Sequence, residues 1–161
     1  KKIYKKVEVD YNKIQNLKNI KNHDVLCVKM QTHENLEKVI DQEPDLITFN
    51  FNVQQKFNVK HLRMAVKRKV YIEIPLNYKN KMVYLYNVAE LLRILRYRNI
   101  VFGSGAKTKK ELKEPSDIIE LLSFLGFNKN KIQKVLENSE KLLKICAMRR
   151  HSFKNCIIND V

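Results

Sequence analysis

The sequence predicts an α/β protein built on a parallel sheet, and three observations carry that prediction. Short apolar or alternating segments at Val25–Val28, Leu46–Phe49, Val70–Ile74 and Ile100–Phe102 are each followed by a stretch with helical spacing. Val25-Leu26-Cys27-Val28 is apolar on both faces, which is how a covered parallel strand reads. With 161 residues, 44% of them hydrophobic, the chain has enough apolar surface to bury a core. Strands separated by single helices imply parallel pairing with right-handed crossovers, a pattern that open doubly wound sheets and β/α barrels both satisfy. About five such units are too few for a closed eight-strand barrel, so a barrel here is incomplete or draws on strands further upstream.

Each element follows from local chemistry. Val7 and Val9 alternate as a first strand, and Ile14, Leu17 and Ile20 predict a helix within Tyr11–Ile20. Asp24–Met30 is the second strand. Thr32 is the expected N-cap of a helix over His33–Gln42, with Leu36, Val39 and Ile40 on one face and Glu34 and Glu37 in the positive first turns. Pro44 stops it, and Asp45–Phe51 is the third strand. Asn58 or a neighbour caps a helix that runs to Lys69, with Leu62, Ala65 and Val66 inward and Arg63, Lys67 and Arg68 outward. Val70–Ile74 is the fourth strand, ended by Pro75.

Asn80–Tyr97 is the longest predicted helix, with Val83, Tyr84, Val88, Leu91, Leu92 and Leu95 as its apolar stripe. Arg93, Arg96 and Arg98 follow at its negative end, which suits both ordinary capping and a phosphate surface. Strand Asn99–Phe102 then opens the segment Asn99–Gly126: strand, Gly103-Ser104-Gly105-Ala106 turn, basic loop, and a helix started by Pro115 and ended by Gly126. Asn128–Glu137 and Ser139–Met148 are two further helices, and Cys156-Ile157-Ile158 is expected as a final edge strand.

Charge narrows the function. A formal net charge of +15 attracts polyanions, and nucleic acid is the default partner because basic side chains that neutralise phosphates release condensed counterions. No stretch is apolar enough to span a bilayer, and the lysines are spread over many elements instead of forming one amphipathic basic helix, so no membrane is expected. Cys27, Cys146 and Cys156 include no CxxC and suggest a reducing compartment. The sequence begins at Lys1, shows no signal peptide, and is expected to start inside a longer chain.

Enzymatic motifs are weak. Gly103-Ser104-Gly105 begins like a dinucleotide fingerprint but meets Thr108 where a third glycine belongs, and neither a Walker loop nor a Gly-x-Ser-x-Gly elbow is present. His23, His33, His61 and His151 lie apart, outside any zinc-ligand pattern, so no cofactor and no metal is expected. Glu73, alternating with Ile72 and Ile74, must point to the opposite sheet face. A barrel interior there would require a partner such as a lysine, giving a structural ion pair in preference to a catalytic acid.

These residues also match a family. Asn99-Ile-Val-Phe-Gly-Ser-Gly-Ala-Lys, Glu111-Leu-Lys-Glu-Pro-Ser-Asp-Ile, Leu122-Ser-Phe-Leu-Gly-Phe and Met148-Arg-Arg stand in the order and spacing of the p-thirty protein subunit of ribonuclease P and ribonuclease MRP. Asp45-Leu-Ile-Thr-Phe-Asn, Arg63-Met-Ala-Val-Lys-Arg and Val70-Tyr-Ile-Glu-Ile are similar to that family's upstream strand, helix and strand. The resemblance runs from about Asp24 to Phe153. Glu114 stands where the family usually has glycine before the proline.

The resemblance implies a TIM-barrel-like parallel β/α fold, incomplete here because the N-terminal strands are absent, with extra C-terminal helices. It implies that residues 1–161 form a single domain, the C-terminal two-thirds or so of a barrel. It further implies a non-catalytic subunit, nuclear and nucleolar, that stabilises RNase P or MRP RNA beside a small α/β partner, Pop five. Gly103, Ser104, Gly105, Ala106, Pro115 and Asp117 are then its structural motif. The expected RNA-binding residues are Lys107, Lys109, Lys110, Lys113, Arg149, Arg150, Arg63 and Arg68. The alternatives are a metal-dependent phosphoesterase-like barrel enzyme with its ligands upstream, and a generic phosphate-binding domain.

Overall fold

A computed structural model describes residues 3–13, 16–106, 108–112, 114–124, 126–153 and 156–157. Five strands, β1 (Lys6–Asp10), β2 (Val25–Met30), β3 (Leu46–Phe49), β4 (Tyr71–Pro75) and β5 (Ile100–Gly103), form one parallel sheet in the order β1-β2-β3-β4-β5. Every strand lies beside its neighbours in the chain. A doubly wound sheet reverses its strand order at a switch point; this one never reverses. It is an arc of a β/α barrel, and among the described residues β1 and β5 remain its two edges.

The helices are α1 (Leu36–Asp41), α2 (Val59–Lys67), α3 (Lys81–Leu95), α4 (Pro115–Phe124), α5 (Lys129–Leu136) and α6 (Asn138–His151). The first five pack on one side of the sheet. Leu26, Val28, Ile47, Phe49, Ile72, Ile74 and Ile100 point outward into a core completed by Leu36 and Ile40, Leu62 and Ala65, Leu91 and Leu95, Ile118 and Leu122, and Ile132 and Val135. The opposite, inward residues Val25, Cys27, Leu46, Tyr71 and Val101 are covered instead by Leu142 and Cys146 of α6. The two-residue alternation of β-strands thus builds two cores, one per face.

Asparagines start three of the helices. The Asn58, Asn80 and Asn128 side chains accept from Lys60 N at 2.9 Å, Val83 N at 3.2 Å and Lys131 N at 3.1 Å, meeting amides that the first helical turn leaves unpaired.

Three local expectations are corrected. The helix expected within Tyr11–Ile20 is a single 3-10 turn at Leu17–Asn19, because Asn16 takes the Lys18 amide and Gln42 the Leu17 amide, the local competition that makes asparagine-rich stretches poor helices; Ile14 lies outside the described residues. Thr32 does not cap α1, which starts only at Leu36, since His33 stacks on Phe49 at 4.9 Å and meets Gln55 Oε1 at 2.7 Å. Cys156–Ile157 (β7) pairs antiparallel with Ser152–Phe153 (β6) in its own two-stranded hairpin, apart from the main sheet; Ile158 is outside the described residues.

Candidate functional site

The inward face carries a buried polar cluster around Glu73. Glu73 is 7% exposed at the centre of β4, and its carboxylate accepts from Lys6 Nζ at 2.5 and 2.6 Å and from Cys27 Sγ at 3.3 Å. Thr48 donates to the Glu73 carbonyl at 3.2 Å. The lysine partner that a charged interior residue requires is therefore supplied by β1. Burial works against the Lys6 ammonium, but the Glu73 carboxylate beside it, through its charge and its hydrogen bonds, helps to outweigh burial and raise its pKa. Burial, then the Glu73 charge, push the Cys27 thiol well above its ordinary range.

Glu8, Cys27 and Glu73 each offer one ligand-type atom, all within 4.8 Å of one another. Those donors would suit a divalent ion in principle. The Lys6 ammonium, however, already bridges both Glu73 oxygens, and the raised thiol is a proton donor to the same carboxylate. Lys6 and Glu73 read as a structural ion pair, with Glu8 Oε2 3.9 Å from the same ammonium.

At the carboxyl end of β5 the chain turns through the glycine motif. A Cβ on Gly103 would lie 2.0 Å from Glu73 Oε1, so the glycine makes room for the buried carboxylate. Gly105 has φ +58, a left-handed conformation that glycine adopts without penalty. Asn77 Nδ2 donates to the Gly105 carbonyl at 3.4 Å, and Ala106 N reaches Ser104 Oγ at 3.4 Å. Farther on, Asp117 Oδ2 accepts from Glu114 N at 3.0 Å, closing the start of α4. Lys109 and Lys110 lie exposed in a 3-10 turn, with Lys110 on a cleft of about 470 Å³ that also holds Asn77, Tyr78 and Asp117. Lys107 and Lys113 lie outside the described residues.

Arg149 and Arg150 sit at the other pole and are held by contacts within the chain. Arg149 donates to the carbonyls of Glu43 (3.3 Å), Pro44 (3.2 Å), Arg68 (2.9 Å) and Lys69 (3.4 Å) and to Asp45 Oδ1 at 3.2 Å. Arg150 pairs with Asp45 and donates to Cys146 O at 3.1 Å. Both guanidinium groups fasten α6 across the amino ends of the strands. Asp45, 2% exposed, also accepts from Leu26 N at 2.8 Å; burial opposes its charge, but Arg150 and this amide overcome it and lower its pKa. Burial and Asp45 push the Cys146 thiol up to about 12. Arg68 pairs with Asp41 at 2.9 Å and Glu43 at 3.3 Å, whereas Arg63 is exposed on α2.

A second basic assembly was only partly visible in the sequence. Arg93, Arg96 and Arg98 from the end of α3 meet Lys131, Lys134 and Lys141 from α5 and α6 around a groove of about 670 Å³. The three lysines are far from the arginines in sequence, and their helical spacing marks them only as solvent-facing.

The comparisons with known proteins agree with this architecture. The family model for RNase P subunit p30 matches residues 2–151. The Arabidopsis thaliana protein GAMETOPHYTE DEFECTIVE 1 is 24% identical over 142 residues, covering 83% of this chain and 24% of its own length, so the chain spans about a quarter of that relative. Among solved structures, a chain from the cryo-EM structure of archaeal ribonuclease P with mature tRNA superposes with a TM-score of 0.77 at 16% identity, over 98% of this chain and 76% of that one. At that identity the likeness speaks to the fold.

Proposed function

Because the chain belongs to the RNase P subunit p30 family, we propose that it serves as a non-catalytic, RNA-binding subunit of the ribonucleoprotein endonuclease RNase P, and of RNase MRP where that particle exists. The observation that carries the reading is a family match running through the whole sheet of a chain whose net charge is +15. Its mechanism is electrostatic and geometric. A rigid parallel sheet holds exposed basic side chains, among them Lys109, Lys110 and Arg63, against RNA backbone, which they bind by releasing counterions. The small α/β partner Pop five docks on the protein side, and the particle acts on precursor tRNA, or on ribosomal RNA precursors in the MRP form. The nucleus, and within it the nucleolus, is the corresponding location.

Filter binding of the full-length protein to its cognate RNase P RNA between about 50 and 200 mM salt tests the reading, since each phosphate contact contributes about 0.7–0.9 to the salt slope. Joint replacement of Lys107, Lys109, Lys110 and Lys113 by alanine is expected to lower affinity and slope together. Affinity indifferent to salt overturns RNA binding.

One observation favours a second reading, a metal-dependent phosphoesterase: Glu8, Cys27 and Glu73 converge on the inward face. Stoichiometric bound metal with phosphatase turnover in the full-length protein would establish it; we favour the first reading because Lys6 already supplies the cation there.

A further inference from the structure

We infer that the groove between the end of α3, the Arg96–Asn99 turn, and helices α5 and α6 binds the phosphodiester backbone of RNA, at the opposite pole of the sheet from the glycine-motif loop. The inference rests on the RNA-binding reading above and adds to it a place, one the family match does not specify.

Charge is the first support. The described residues lining the groove include six cations, Arg93, Arg96, Arg98, Lys131, Lys134 and Lys141, and no carboxylate. Glu90 pairs with Arg93 at 2.9 Å but is not part of the lining. The other large cavity at this pole, about 720 Å³, has Asp24, Glu43 and Asp45 among its basic residues, so its charges are largely answered internally. Glu90 answers Arg93, and the other cations gathered around the groove repel one another, a cost that an anionic ligand removes.

The second support is backbone. Arg96, Tyr97 and Asn99 have φ of 50°, 64° and 50°, three left-handed residues within four positions, none of them glycine. Such conformations persist only where surrounding structure holds them, and they concentrate at binding sites. Here Asn138 Nδ2 donates to Ile100 O at 2.9 Å and to Tyr97 O at 3.4 Å, Asn99 Nδ2 to Val70 O at 3.3 Å, and Arg98 N to Leu95 O at 3.0 Å. The turn is pinned by polar contacts, Arg98 Nε also reaching Leu95 O at 3.5 Å, and both Arg96 and Arg98 line the groove. Lys131 Nζ lies 5.5 Å from the centre of the Tyr97 ring, so the aromatic face fixes one lysine at the groove mouth.

Extent chooses the ligand. The cations are spread over α3, its following turn, α5 and α6, around about 670 Å³. That spread matches several successive phosphates of a strand better than one small phosphate ion, which a compact nest of amides would hold.

The test compares the full-length wild-type protein with Lys131→Ala/Lys134→Ala/Lys141→Ala, whose lysines are exposed on helices, using the cognate RNase P RNA transcript as probe. The expected result is a salt slope lower by about two units and affinity reduced at least about tenfold, with an unchanged melting temperature. Lys109→Ala/Lys110→Ala serves as the comparator at the other pole, and Arg96→Gly, which tolerates the left-handed turn, is the second groove variant should the triple variant unfold. If wild type binds RNA with a salt slope and both groove variants bind identically, the groove inference falls while the RNA-binding reading stands. If wild type shows no salt-dependent binding, that reading falls with it. Unchanged RNA affinity with loss of a protein subunit from the assembled particle would assign the groove to an acidic protein and overturn the inference. Inorganic phosphate that competes fully at low millimolar levels would overturn the extended-backbone ligand.

Discussion

The Cβ that Gly103 lacks would stand 2.0 Å from Oε1 of Glu73 and 2.8 Å from its Cδ. The glycine at the end of β5 is thus set by a side chain on the neighbouring strand. Gly103→Ala must displace a buried carboxylate held by Lys6, and overpacking of this kind costs about 1–3 kcal/mol. In a Glu73→Ala background the same substitution is expected to cost much less, as urea unfolding of the four proteins of the cycle would show. Equal costs in the two backgrounds would mean that some other contact fixes the glycine.

Lys6 is the charge that makes Glu73 tolerable. Lys6→Met leaves a carboxylate of 9% side-chain exposure without its cation. Losing one partner of a buried pair costs about 3–5 kcal/mol, and because the Lys6 side chain is 37% exposed the expected cost here is nearer about 2 kcal/mol. Lys6→Met/Glu73→Leu, which removes both charges, is expected to recover most of that loss. Denaturant midpoints that fall further in the double variant than in either single one would refute the pairing.

Acid should release α6 from the strands. The Asp45 pKa lies below the ordinary aspartate value in the folded protein, so its stabilisation is complete above about pH 3.8 and fades as pH falls through the lower folded value. Asp45→Asn is expected to lower stability by about 2–3 kcal/mol near neutrality, leaving Arg149 and Arg150 without their carboxylate. The gap between wild type and variant should close as melting temperatures are followed down to about pH 2. A gap independent of pH would contradict the ion-pair assignment.

The thiols should be inert. Cys146, raised to about 12, and Cys27, raised by burial and Glu73, are almost wholly protonated at pH near 8, where the thiolate is the reactive species. A Cys156→Ser variant is therefore expected to show no fast-reacting thiol toward a disulfide reagent until denaturant is added. Rapid native modification of either cysteine would show that the inward face opens readily.

Asn87 on α3 is fully buried, accepts from Gln55 N at 2.9 Å, and donates to Val53 O at 2.9 Å and Phe51 O at 3.3 Å. Asn87→Leu strands the Gln55 amide and the Phe51 carbonyl, while the Val53 carbonyl keeps Gln55 Nε2 at 3.3 Å, and is expected to cost about 2–3 kcal/mol. Hydrogen exchange should localise the damage at the Gln55 amide; protection lost evenly over the sheet would point to general misfolding.

The strands and most helices were legible because they are governed by local rules: apolar runs, Asn58 as a cap, Pro44 and Pro75 as stops. Glu73 was legible too, since alternation alone puts it on the face opposite Ile72 and Ile74. Its partner was not, because Lys6 is distant in sequence and looks like any other lysine. The same blindness applied to Arg149 and Arg150, which sequence reads as a basic tail and three dimensions convert into clamps on Asp45. Thr32 misled because a threonine before an apolar stripe is a good cap unless tertiary contacts claim the first turn, as the His33 stack does. Lys131, Lys134 and Lys141 could be recognised only once α3, α5 and α6 were seen to share a rim.

The unreversed strand order bears on how the polypeptide is made. Lys6 lies beside Val25, Cys27 beside Leu46, Leu46 beside Tyr71 and Ile72 beside Ile100, so each strand emerging from the ribosome finds its template already in place. Short loop closures of this kind favour vectorial assembly, one βα unit at a time. Helix α6, in contrast, reaches back past the later strands, its arginines closing on Asp45. A nascent chain stopped short of Asn138 would leave Val25, Leu46, Tyr71 and Val101 without the cover of Leu142 and Cys146, and synthesis of α6 is therefore the step that closes an otherwise adhesive inward face.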